Sequence, residues 1–168
     1  MEWVLISGSW RTVNQEVEKD VRRIVKEIYS KGDGLIIGGA LGPDEFAIDE
    51  WLKLSKDIER LEIYLPTKWE TFYKHLLDEV GKERGSEISR LNDNLGTILS
   101  KNPEAVLEGN AEEANQESYY ARIDTMIKKS HRGYAFHVNN SEGVQYSIDK
   151  MKEQKKPIQI NKYAISKR

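Results

Sequence analysis

Short apolar runs closed by glycine or proline recur along the chain, separated by stretches whose apolar residues return every three or four positions. The first run, Trp3-Val4-Leu5-Ile6-Ser7, ends at Gly8 and reads as a buried parallel strand. Val17, Val21, Ile24, Val25 and Ile28 then repeat at helical spacing behind a start signal at Thr12 or Asn14, with Gly32 placed to cap the end. Leu35-Ile36-Ile37 is a second buried strand that runs straight into Gly38-Gly39-Ala40-Leu41-Gly42-Pro43-Asp44. Pro43 suits a first helical position, and Phe46, Ala47, Trp51 and Leu54 give the helix behind it an apolar face. Leu61 to Leu65, stopped by Pro66, is the third strand.

The middle of the chain changes rhythm. Trp69, Phe72, Tyr73, Leu76 and Leu77 predict one helix, Gly81 and Gly85 interrupt it, and Ile88, Leu91, Leu95, Ile98 and Leu99 predict another. Asn102-Pro103 breaks the pattern before a helix carrying Tyr119, Ile123, Met126 and Ile127. Residues 67–115 therefore read as a mainly helical insertion, which covers a pocket or forms a homodimer interface. Gly133 to Val138 is the fourth strand, Asn139 to Gly143 the loop after it, and Val144, Ile148 and Met151 mark a further helix. Pro157 to Ile160 is the fifth strand, and the lysine-rich stretch from Lys162 reads as an exposed or loosely packed end. Strands alternating with helices over short connections favour an α/β, Rossmann-like three-layer sandwich with a mainly parallel five-stranded sheet in the order 3-2-1-4-5. Residues 1–168 make a single domain on this reading.

Composition narrows the chemistry. The chain has no cysteine, which excludes disulfides, thiolate metal sites and a cysteine nucleophile, and which suits a reducing cytoplasm. His75, His131 and His137 are scattered without metal-ligand spacing, so no metal is expected. Neither a leader nor a membrane span is apparent, and no membrane partner is expected. With 26 basic and 28 acidic residues the net charge is −2, a balance that argues against nucleic acid as a partner. The acids Glu104, Glu108, Glu112, Glu113 and Glu117, with no base among them, read as a solvated face or loop.

In an open parallel sheet, ligands bind beyond the carboxyl ends of the strands, where strand order reverses. Three loops at that edge stand out. Ser7-Gly8-Ser9-Trp10-Arg11 offers a glycine, a small hydroxyl and a cation directly after the first strand. In the second loop Gly38, Gly39, Ala40 and Gly42 leave backbone amides bare for a phosphate, ribose or carboxylate, while Asp44 either caps its helix or accepts a ligand hydroxyl. The third loop brings Asn139, Ser141, Glu142 and Gly143 to the switch point, with turn and capping roles open to Asn139 and Ser141. Neither a P-loop nor a G-x-G-x-x-G fingerprint is present, and no Gly-x-Ser-x-Gly elbow supports a serine hydrolase. The aromatic residues Trp69, Phe72 and Tyr73 suit a core or an interface. Tyr119-Tyr120, just before Arg122, is the pair placed to stack a base.

The succession Ile6-Ser7-Gly8-Ser9-x-Arg11, Gly38-Gly39-Ala40-x-Gly42-x-Asp44-x-x-Ala47, Arg122, Ser141-Glu142-Gly143 and Lys156-Pro157-Ile158 resembles the superfamily that links DNA-processing protein A with the lysine-decarboxylase-like, cytokinin-activating proteins. The resemblance skips residues 67–115. It implies a Rossmann-like sheet that binds nucleotides or their derivatives, with sensing members and members that cleave N-glycosidic bonds. The hydrolase branch carries Pro-Gly-Gly-x-Gly-Thr-x-x-Glu after the fourth strand; here Val144 stands for the threonine and Ser147 for the acid, a departure that sets the phosphoribohydrolase activity in question. Two functions follow, with single-stranded DNA binding a distant third. The first is binding of a nucleotide or nucleotide-derived molecule at the carboxyl edge, as a sensor or regulatory domain without a cofactor, with Arg11 and Arg122 supplying charge. The alternative is cleavage of an N-glycosidic bond by Glu142 or Asp44.

Overall fold

In a computed structural model of the protein, residues 1–166 are described. The sheet is all parallel and has six strands in the order β4-β3-β2-β1-β5-β6. These are β1 (Trp3–Gly8), β2 (Gly34–Gly38), β3 (Leu61–Tyr64), β4 (Val106–Leu107), β5 (Arg132–Val138) and β6 (Ile158–Tyr163). The five strands read from the sequence take the expected neighbour order, and the expected count is corrected by β4, a two-residue edge strand paired with β3 through Ile63–Val106 and Tyr64–Leu107. So short a segment has no room for the alternation that identifies a strand.

Alternation across β1 divides the core. Val4 and Ile6 face a layer built from α1 (Gln15–Ser30), α2 (Pro43–Leu54) and α3 (Trp69–Lys101), whereas Leu5 meets α4 (Gln116–Lys129) and α5 (Glu142–Glu153) through Met126, Ile127 and Met151. Helix α1 begins where Asn14 Oδ1 accepts the Val17 N–H at 3.0 Å, and Gly32 takes a positive φ just beyond its end. Pro43 stands at the first turn of α2, and Trp51 on the same helix is fully buried.

Within residues 67–115 the two expected helices are present as two segments of α3, which meet at a kink where Arg84 leaves helical geometry (φ −129°, ψ 28°). The kink falls between Gly81 and Gly85, the glycines that mark the interruption in the sequence. Arg84 itself is anchored at the kink, by Glu87 and by the backbone oxygen of Trp10 at 2.6 Å. Within the acidic run, Glu108 is engaged rather than merely solvated, because its carboxylate accepts the Trp69 N–H at the start of α3. Of the exposed or loosely packed end expected from Lys162, exposure holds at Lys162, Ala164 and Ser166, whereas loose packing does not hold for the described residues. Lys162 and Tyr163 lie in β6, Tyr163 donates to Asp20 at 2.6 Å, and Asn139 exchanges two hydrogen bonds with the backbone of Ile165. Lys167 and Arg168 lie outside the described residues. Among the described residues, no helix is long and apolar enough to cross a membrane.

Candidate functional site

The carboxyl ends of β1, β2 and β5 open onto a cavity of about 650 Å³, within the range of small-molecule sites. Its floor comes from the three glycine-bearing loops at that edge. Gly8, Ser9 and Arg11 enter from the first, Gly38, Ala40 and Asp44 from the second, and Asn139, Ser141, Glu142 and Gly143 from the third, with Arg122 arriving from α4. Gly39 and Gly42 do not line it. A Cβ on Gly39 would run into the Leu65 side chain, and Gly42, whose φ is +72°, packs against Val13 and the backbone of Trp10. The second loop thus turns some of its residues toward the cavity and others toward the core.

The first and third loops are stitched together. The Ser9 hydroxyl accepts the Val138 N–H at 2.9 Å and lies 2.5 Å from the Ser141 hydroxyl, within reach of the Phe136 and Val138 carbonyls. Ser9 is therefore a clamp between β1 and β5. Ser7 makes a parallel link to Ser147 at 2.9 Å. Buried His137 has Nε2 3.0 Å from the Ser141 carbonyl and sits behind the same loop. Asn139 commits its side chain to Ile165, and Glu142 stands exposed at the first turn of α5.

Asp44 and Arg122 form the charged centre. Asp44 is buried, and its Oδ2 accepts the Ala40 N–H at 3.1 Å, so it closes the glycine loop onto its own helix. Burial pushes its carboxyl up to about 6, against the opposing pull of Arg122 and the Ala40 amide. The Arg122 guanidinium is likewise drawn below its ordinary value by burial, with Asp44 and Tyr119 resisting. Desolvation outweighs mutual attraction for both partners. Nε and Nη1 of Arg122 are shut away from solvent, and among the described residues neither finds a hydrogen-bond partner. Gly38 makes room for the pair: a Cβ there would lie 2.8 Å from Asp44 Oδ2 and 3.2 Å from Arg122 Cζ.

One wall is aromatic, and the sequence pattern assigns most of it to the core. Phe72, His75 and Leu76 of α3 reach the cavity beside Tyr119, whose ring meets Phe72 and His75 edge-on at 6.2 and 6.3 Å and has the Arg122 guanidinium 5.4 Å from its centre. The helical spacing of Phe72 and Leu76 shows that α3 has a buried face, but the side of the sheet on which that face lands depends on the crossover.

Fold and cavity together define a Rossmann-like α/β protein with a partly aromatic pocket, lined by Arg11 and Arg122, at the switch point. Solved structures make the likeness particular. DNA processing protein A from Helicobacter pylori, described with a single-stranded DNA binding mode, superposes with a TM-score of 0.64 at 17% identity over 99% of this chain and 66% of that one. DNA processing protein A from Streptococcus pneumoniae gives 0.62 at 16% identity, covering 99% of this chain and 51% of the other. TM1055 gives 0.58 at 13% identity over 94% of this chain and 72% of its own. The chain thus has the Rossmann-like fold of these structures, and it spans about two thirds and one half of the two DNA processing protein A chains. No family model matches the sequence, and no curated protein matches it. The expectation that excluded nucleic acid does not stand, because the H. pylori protein of this fold has a single-stranded DNA binding mode. Net charge averages over the whole surface and says little about one cavity lined by Arg11, Arg122 and backbone amides.

Proposed function

We propose that this chain binds a nucleotide or nucleotide-derived small molecule in the cavity at the carboxyl edge of its sheet and serves as a sensor or regulatory domain. The observation that carries the reading is Arg122. Two buried guanidinium nitrogens with no partner among the described residues leave a desolvation cost that a bound anion would offset with charge-assisted hydrogen bonds. A phosphate suits that position, and the first-turn amides of α5, together with Arg11, widen the region favourable to negative charge. The aromatic wall suits the flat remainder of the same ligand.

The test is calorimetric titration of the full chain with nucleoside monophosphates, NAD and a short single-stranded oligonucleotide. Wild type is expected to bind at least one of them, and Arg122→Ala to bind it more weakly by roughly 1.5 to 3 kcal/mol while folding normally. Equal binding by both would move the ligand out of this cavity. Failure of wild type to bind any of them would remove the ligand class.

A second reading has its own support in Asp44, a buried carboxyl whose proton is held near neutral pH inside the same cavity. A group so tuned suits general acid–base work on an N-glycosidic bond, with Glu142 at the cavity rim as the other carboxylate. Chromatographic detection of released base, lost in Asp44→Asn, would favour it over binding alone.

A further inference from the structure

The consecutive tyrosines before Arg122 fall into different surroundings. Tyr119 turns inward and is engaged edge-on by Phe72 and His75. Tyr120 lies parallel to Tyr146 of α5, with ring centres 3.9 Å apart and planes 5° from coincidence. Isolated aromatic pairs favour offset or edge-on geometry, so a close parallel pair on a partly exposed surface needs to be held in place. It is held. Tyr146 donates its hydroxyl proton to Asp124 at 2.7 Å, and Gln116 donates to the Tyr120 hydroxyl at 3.2 Å. The Lys150 ammonium lies 5.6 Å from the centre of the Tyr146 ring. Tyr146 thus backs Tyr120, with Lys150 beside the Tyr146 ring. Tyr120 lines the same cavity as Arg122.

We infer that Tyr120 is the stacking platform of this site and that the ligand presents a nucleobase to the ring face that Tyr146 leaves bare. The inference rests on the nucleotide-binding reading above and makes it specific. The anionic part of the ligand lies toward Arg122, the base continues the Tyr146–Tyr120 stack, and discrimination against base-free sugar phosphates resides in α4. Tyr119, which also lines the cavity, already engages Phe72, His75 and Arg122. The packing of α5 against α4 also sets the platform's orientation, since Tyr146 backs Tyr120 across the two helices.

The experiment compares nucleoside monophosphates with ribose 5-phosphate on full-length wild type, Tyr120→Leu and Tyr120→Phe by calorimetric titration, with thermal unfolding of each. Base–aromatic stacking is sequence-tolerant and strong enough that Tyr120→Leu should weaken nucleoside monophosphate binding on the order of tenfold or more. Tyr120→Phe should stay within about twofold of wild type, and ribose 5-phosphate should bind all three proteins alike. Unchanged nucleotide affinity in Tyr120→Leu overturns the platform while leaving the nucleotide-binding reading in place. An equal loss in the leucine and phenylalanine variants, or for both probes, also overturns it, since the residue would then act through its hydroxyl or through folding. If wild type binds no base-bearing probe, both the platform and the reading beneath it fail.

Discussion

Asp44→Asn tests the electrostatics of the site through stability. In the folded chain the Asp44 carboxyl ionises at about 6, against an ordinary value of 3.8, and the first cause is its burial. That difference corresponds to about 3 kcal/mol between the two protonation states. Between the two values the folded chain holds a proton that the unfolded chain has released. Stability therefore falls as pH rises from about 4 to about 6 and stays lower above it. Asparagine keeps an oxygen that can accept the Ala40 N–H and has nothing to ionise. The variant should exceed wild type by up to about 3 kcal/mol at pH 7, and the gap should close toward pH 4. Urea unfolding at the two pH values measures this directly, provided the denaturant slope is unchanged. A variant no more stable than wild type at pH 7, or a gap of the same size at pH 4, would refute the claim that ionised Asp44 is a destabilising group retained for its site. A gain in stability with a loss of ligand affinity is the expected signature of a functional group kept at a thermodynamic cost.

Two glycines of one loop should behave differently. Gly38→Ala places a methyl 2.8 Å from Asp44 Oδ2 and 3.2 Å from Arg122 Nη1, so it should displace the charged pair, cost about 1 kcal/mol in unfolding experiments and weaken ligand binding in the same titrations. Gly39→Val drives its side chain into Leu65 instead; it should lower stability by about 1 to 3 kcal/mol, read by thermal or urea unfolding, while the molecules that remain folded bind as wild type does.

The contrast between Gly38 and Gly39 also shows where reading the chain stops. The glycine loop, Asp44 and Arg122 are legible because strand ends and helix starts place them at one edge, whatever the side-chain detail. Which glycine faces the ligand is not legible: both take φ values open to any residue, and the difference lies in whether a Cβ would meet Leu65 or the Asp44–Arg122 pair. Ser9 is visible as a candidate ligand group, yet its hydroxyl is occupied by Val138 and Ser141, 129 and 132 positions away. The glycines of α3 read as a break because isolated glycine weakens a helix, and the kink at Arg84 falls between them. Contacts of Phe72 and Leu76 before the kink and of Ile88, Leu91 and Leu95 after it keep the chain helical on both sides. Strand β4 offers only Val106 and Leu107, and it becomes a strand because β3 presents an edge to it.

The central place of β1 has a consequence for how the molecule comes into being. This strand is synthesised before the other five, but its neighbour β5 spans residues 132–138, and the Ser9 clamp needs residues 136, 138 and 141. Until those residues leave the ribosome, β1 can pair only with β2, and one of its edges stays open. The cavity thus cannot exist in a nascent chain that holds only β1 to β4 and their helices. Closing so long a loop is slow relative to local helix formation, which leaves an interval in which an apolar strand edge is exposed to other chains. A ligand that fills the cavity would act after that interval, by holding shut the seam between two distant stretches of the sequence.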